Sequence, residues 1–320
     1  MKIAVVGCGA VGSYYGALLC RDGHETHFLL RSDFDAVKRR GVSVKSTQGD
    51  FNVRPRCSRH PQEIGPCDLV LIGLKTTANY RLPEFIQPLT DSRTAVMALQ
   101  NGLGTEAEIK KFLPADQILG GLCFVCLNRT GPGIVHHIAH GKIVIGEYER
   151  WPEPRTHDLC TAFKHAGIPC QVTDNLERAH WEKLVWNIPF NGLGVAACAG
   201  YDACVEGRLT PDTRPGPMMA TDALLGNPKW ESLVRELMME IITTANRLQL
   251  AIPESYAERN IERTRVMGPY RASTLIDFEH GQPLELENLF LMPRQYARRA
   301  GVETPRLDAL CEILTVLNSK

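Results

Sequence analysis

The chain has 320 residues, 44% hydrophobic and 22% charged, with 36 Lys plus Arg balanced by 36 Asp plus Glu. That length supports two domains and a substantial core. A formal net charge of zero gives no bulk attraction to nucleic acid or to a membrane surface, and no apolar run approaches the roughly 18 residues of a spanning helix.

Eleven cysteines are an odd number for a disulfide framework and read as reduced thiols, which places the chain in the cytoplasm. The N-terminal MKIAVVGCGAVG breaks into glycines too early for a secretory leader. Cys123 and Cys126 form a CxxC followed by His136, His137 and His140. A zinc site wants closely spaced ligand pairs in turns. This CxxC lies in an apolar run with the look of a strand, so core cysteines and no metal are expected.

In chain order, KIAVVG (2–7) reads as a strand and AVGSYYGALLCRDG (10–23) as a helix closed by Gly23. ETHFLL (25–30) is a second strand. SDFDAVKRRG (32–41) is a helix with Ser32 as its N-cap and Gly41 just past its end. DLVLIGL (68–74) and TAVMALQ (94–100) are further buried strands. Apolar runs alternating with helices indicate a parallel sheet covered on both faces. ILGGLCFVCLNR (118–129) and GKIVIGEYE (141–149) read as antiparallel strands at the sheet's far edge.

From about residue 175 the pattern becomes helical, most clearly in WESLVRELMMEIITTANRLQL (230–250). The Gly/Pro-rich stretch from Gly200 to Pro228 reads as a long loop or insertion. The fold class is therefore α/β. A Rossmann-type dinucleotide-binding domain, 1–172, is followed by an all-helical C-terminal domain, 173–320.

GCGAVGSYYG (7–16) places GxGxxG directly after the first strand and at the start of a helix, the context the motif requires. Gly7 allows the tight turn, Gly9 admits a pyrophosphate, and Gly12 lets the helix approach the sheet. Gly7, Cys8, Gly9, Ala10, Val11 and Gly12 are the expected cradle. Some 20 residues on, an NAD enzyme places an acid on the ribose 2′-OH. Here the second strand ends in Leu30-Arg31-Ser32, and an arginine suits a 2′-phosphate. The expected cofactor is NADP(H). Lys75 and Asn101 follow two other strands, at the ends where α/β sheets bind ligands.

WEKLVWNIPFNGLG (181–194) carries Lys183, Asn187 and Asn191 at steps of four among large apolar residues. That spacing stacks them on one helical face. The face is either an exposed stripe or the lining of a cleft. A positioned ammonium beside a ketone both stabilises the alkoxide that hydride transfer creates and protonates it.

GCGAVGSYYG, LLRSDFDAVKRRG, LKTT, QNG, GKIVIGE, WEKLVWNIPFN and ASTLIDFEHGQPLELE occur in this order over most of the chain. Together they resemble the ketopantoate reductase (2-dehydropantoate 2-reductase) family. The resemblance implies NADPH-dependent reduction of the C2 ketone of ketopantoate to pantoate, on the route to pantothenate and coenzyme A. It assigns the general acid to Lys183 and the catalytic glutamate to Glu285. Substrate binding falls on Asn187, Asn191, Ser273 and Asn101, and cofactor binding on Lys75 and Asn101. It also implies a homodimer. Tyr201, Tyr270 and Leu291 stand where the family pattern has two asparagines and a glycine. Those departures leave two alternatives, reduction of a different small 2-keto acid or a catalytically inactive NADP(H) sensor.

Overall fold

The computed structural model describes residues 1–209 and 216–319. The chain divides into two compact units. One comprises Met1–Asn101 and Thr105–Leu176, the other Gly102–Gly104 and Glu177–Lys320.

The first unit is built on one ten-stranded sheet: β1 (Lys2–Val6), β2 (Glu25–Leu29), β3 (Val42–Ser46), β4 (Phe51–Val53), β5 (Arg56–Ser58), β6 (Leu69–Ile72), β7 (Ala95–Ala98), β8 (Ile118–Gly131), β9 (Ile134–Glu147) and β10 (Cys170–Val172). Its order is β4-β3-β9-β8-β7-β6-β1-β2-β5, with β10 paired to β9. The helices are α1 (Ala10–Arg21), α2 (Phe34–Arg40), α3 (Leu82–Ile86), α4 (Thr105–Lys110) and α5 (Pro154–His165).

Strand residues alternate between two cores. Ile3, Val5, Leu69, Leu71 and Met97 pack with Tyr15 and Leu19 of α1 and Phe163 of α5. Ala4, Val6, Val70, Ile72 and Val96 pack with Leu82 and Ile86 of α3 and Ile109 of α4. A strand buried on both faces needs no polar alternation, which is why these runs are apolar throughout.

Three expectations are corrected here. The antiparallel pair β8–β9 is not at the edge. β3 pairs in parallel with β9 through Ser43↔Ile134 to Ser46↔His137, and the short β4 lies outside it. Ser32 is not the cap of α2. Asp33 holds that position, and the Ser32 hydroxyl donates to Asp33 Oδ1 at 3.1 Å. The stretch from 200 to 228 is not one loop, since it contains two helices, given below; residues 210–215 of that expected insertion lie outside the described residues.

The second unit contains α6 (Leu176–Ala196), α7 (Tyr201–Glu206), α8 (Thr221–Leu225), α9 (Pro228–Arg247), α10 (Ser255–Arg265), α11 (Ser273–Glu279), α12 (Met292–Arg299) and α13 (Pro305–Asn318). Trp181, Leu184, Val185, Ile188 and Phe190 of α6 lie in one core with Leu233, Leu237 and Ile241 of α9 and Leu310 and Leu314 of α13. A helix that is apolar nearly all round belongs in such an interior. α6 runs unbroken through Pro189, although proline cannot donate to the Val185 carbonyl one turn earlier. Asn227 caps α9, accepting from the Lys229 N–H at 3.0 Å.

Candidate active site

Parallel pairing brings the glycine loop and its companions to one end of the first unit's sheet. β1 is flanked by β2 and β6, with Val6 level with Leu29 and with Ile72, and β7 lies beyond β6 with Ala98 level with Ile72. Gly7–Gly12, Arg31, Lys75 and Asn101 all follow the carboxyl ends of these strands, where open α/β sheets bind ligands.

Each glycine of the loop has its own reason. Gly7 has φ +93°, and a Cβ there would lie 2.2 Å from the Leu74 nitrogen. A Cβ on Gly12 would sit 2.3 Å from the Gly7 carbonyl oxygen. Gly9 differs, because a Cβ there would meet only the Gly73 carbonyl oxygen, at 4.0 Å. Gly9 is also the N-cap of α1, whose first turn carries no acid. Free N–H groups, the positive helix end and open space over Gly9 together form a cradle for a phosphate. The residues present therefore fit a dinucleotide.

Cys8 contributes backbone to this loop while its thiol turns inward, within 3.5 Å of the Val5 and Leu29 carbonyl oxygens. Burial, then the neighbouring Cys57 and Asp33, pushes that thiol well above its ordinary value, so it is not an oxidation-poised thiolate. Ala10 and Val11 open α1 and are half-buried. Arg31 is exposed and makes no ion pair among the described residues. Lys75 is exposed at the end of β6, and Asn101 is half-buried. Cys123 and Cys126 are buried in β8. His137 of β9 is held by hydrogen bonds, its Nδ1 2.8 Å from Ser46 Oγ and its Nε2 3.0 Å from the His140 carbonyl.

In the second unit, α6 presents Lys183, Asn187 and Asn191 on one face. Lys183 is half-buried, and the two amides are only 6% and 3% exposed. This is not a solvated stripe. The Asn191 side-chain oxygen accepts from the Thr274 N–H at 3.1 Å and from the Ser273 hydroxyl at 3.3 Å. It thus serves an N-terminal N–H of α11 from another helix and fixes Ser273, which is the exposed first residue of α11. Glu285 is buried, just before a π turn at Glu287–Leu291. Its carbonyl accepts from the Leu289 N–H at 3.2 Å, at the start of that helical segment.

Aromatic rings wall the same helix. Trp186 lies 5.0 Å from Phe190 and 6.1 Å from Tyr270 between ring centres, and its Nε1–H donates to Thr264 Oγ1 at 2.9 Å. Tyr201 instead packs edge-on against Trp230 at 5.2 Å.

One participant was not legible in the sequence. Asn288 of the π turn accepts from the Leu103 N–H at 2.9 Å, and its Nδ2 donates to the Leu103 carbonyl at 2.7 Å. The Gly102–Gly104 segment is pinned there, and Gly102, at φ +90°, leaves no room for a Cβ against the Asn288 carbonyl. The available signal was Pro293, which withholds the N–H an α-helix would send to the Leu289 carbonyl.

Two family models match the chain. Residues 3–150 match the family model described as ketopantoate reductase PanE/ApbA, and residues 218–318 match its C-terminal model. A 2-dehydropantoate 2-reductase of Nostoc sp. is 36% identical, covering 100% of this chain and 96% of that one. The chain belongs to the ketopantoate reductase family. Among solved structures, the 2-dehydropantoate 2-reductase of Geobacter metallireducens superposes with TM-score 0.90 at 42% identity, covering 99% of each chain. The enzyme of the same name from Methylococcus capsulatus gives 0.85 at 31% identity over 99% of this chain and 96% of that one. Like these relatives, this ketopantoate reductase family member joins an N-terminal Rossmann-type domain to a helical C-terminal one. No helix among its described residues is long and apolar enough to cross a membrane.

Proposed function

We propose that the protein is an NADPH-dependent 2-dehydropantoate 2-reductase. The observation that carries this reading is the buried polar face of α6, on which Lys183 and Asn187 lie in line with an Asn191 that holds Ser273. Gly7–Gly12 would hold a reduced nicotinamide dinucleotide and Arg31 its 2′-phosphate, and the cofactor so held would supply the hydride. Lys75 and Asn101 complete the cofactor's surroundings.

The rest of the chemistry belongs to side chains of the second unit. Lys183 stabilises the negative charge that develops on the C2 oxygen and protonates it. Asn187 and Ser273 can each donate and accept, and so orient a substrate bearing a keto acid and a hydroxyl. Glu285 is an acceptor for the substrate hydroxyl or the lysine ammonium. Eleven cysteines, read as reduced thiols, accord with a cytoplasmic enzyme, and a homodimer is the assembly that the family resemblance implies.

Tyr270 favours a second reading. It stands where the family pattern has an amide, and its ring lies beside Trp186. A reshaped pocket of this kind would take a different small 2-keto acid with the same hydride chemistry. Initial rates of NADPH oxidation with ketopantoate and a panel of other 2-keto acids separate the readings. Highest kcat/KM with ketopantoate supports the first, turnover of another acid alone supports the second, and NADPH binding with no turnover of any points to a sensor.

A further inference from the structure

Asp33 lies two residues beyond Arg31, at the end of β2, where an acid would serve a ribose hydroxyl and oppose a 2′-phosphate. The structure shows this carboxylate fully engaged elsewhere. It is 6% exposed. Arg129 of β8 grips it with both arms of its fork, Nε to Oδ2 at 3.1 Å and Nη2 to Oδ1. The Gly133 N–H of the β8–β9 hairpin donates to Oδ2 at 3.1 Å, and Ser32 Oγ donates to Oδ1 at 3.1 Å. Four donors occupy the two oxygens, so little acceptor capacity is left for a ribose.

We propose that Arg129 is a specificity-determining residue: by closing Asp33 into a bidentate ion pair, it removes the acid that would repel a 2′-phosphate and fixes the Ser32 hydroxyl beside Arg31. This rests on the reading of Arg31 as the 2′-phosphate contact. Burial alone would raise the Asp33 carboxyl, but the Arg129 and Gly133 hydrogen bonds outweigh it and leave the group below its ordinary value. The acid is thus neutralised by a partner and not by a proton. Arg129 is 96 residues away in sequence, so local motif reading around Arg31 does not find it.

The test is equilibrium binding of NADPH and NADH, with adenosine 2′,5′-bisphosphate and 5′-AMP as fragments that isolate the 2′-phosphate. Arg129→Ala should weaken NADPH and the bisphosphate on the order of 10-fold while NADH and AMP change little, the size of one charge-assisted contact. Arg129→Lys should keep most of the preference, and adding Asp33→Asn to Arg129→Ala should restore it. Should Arg129→Ala fail to fold, Arg129→Gln carries the same expectation. Equal losses for both members of each pair, or no restoration by Asp33→Asn, would overturn the proposal. Arg31→Ala separates this from the reading beneath it. If Arg31→Ala leaves the NADPH preference intact, the 2′-phosphate contact itself fails. If Arg31→Ala abolishes it and Arg129→Ala does not, only the role of Arg129 falls.

Discussion

Asn191 and Ser273 are 82 residues apart in sequence and joined by a 3.3 Å hydrogen bond, in which the serine hydroxyl donates to the amide oxygen. The same oxygen serves the Thr274 N–H, so one side chain both caps α11 and positions the hydroxyl proposed to bind substrate. Asn191→Ala should therefore cost about 1–2 kcal/mol of stability as a lost cap and lower kcat/KM as well. Asn191→Asp keeps an acceptor at a helix N-terminus, which favours negative charge. It should retain more stability than the alanine variant yet raise KM for an anionic keto acid. Thermal denaturation and steady-state kinetics on both variants check this. Parallel losses in the two would show that Asn191 only packs.

The glycine loop gives an opposed pair of substitutions. Gly9→Ala places its methyl in open space at an allowed φ of −73°. Its melting temperature should change little while dinucleotide affinity falls. Gly12→Ala drives a methyl against the Gly7 carbonyl and should lose stability on the order of the 1–3 kcal/mol typical of overpacking. Calorimetry and cofactor titration on the two proteins distinguish a ligand-facing glycine from a packing one.

Lys183→Ala should bind NADPH nearly as well as wild type but turn over roughly 10²–10⁴-fold more slowly, the range of a general acid. Lys183→Arg keeps the charge and gives up the transferable proton, so its kcat should stay low. Wild-type turnover in the arginine variant would assign Lys183 a purely electrostatic role.

His137 supplies a pH dependence. Burial pulls its imidazole below the ordinary value, opposed by hydrogen bonds to the His140 and Ala139 backbone. The ring is fully buried between Tyr14 of α1, 4.6 Å away between ring centres, and Ser46 of β3. His140 and His136, on the same strand, also disfavour its protonation. A depressed folded value means that the unfolded chain binds the proton first. Stability from this group is then present above about pH 6.5, the unperturbed value, and is lost as pH falls from there through the folded value. Melting temperatures across that range should fall more steeply for wild type than for His137→Gln, and identical slopes would remove His137 from the account.

The sequence made the local units legible, because local units carry local signals. The strand–glycine loop–helix start, the apolar strands and the i, i+4 face of α6 follow from spacing alone. What escaped reading depends on distant pairing. β3 joins the sheet only by aligning with β9, some 90 residues later, and nothing in its own alternation names that partner. α7 and α8 are six and five residues long, too short to form without tertiary packing, and they lie in a stretch rich in Gly and Pro. Asn191 was legible as a polar residue on the right face, but its partner at Ser273 was not. The π turn at 287–291 and its grip on Leu103 gave no periodic signal at all.

The most direct measurement is a single turnover with NADPH deuterated at the transferable position of its nicotinamide, ketopantoate in excess, and mass analysis of the product. The account predicts pantoate carrying one deuterium at C2, formed at a rate that falls by the general-acid factor in Lys183→Ala. Recovery of ketopantoate unchanged beside intact, bound NADPH would contradict it.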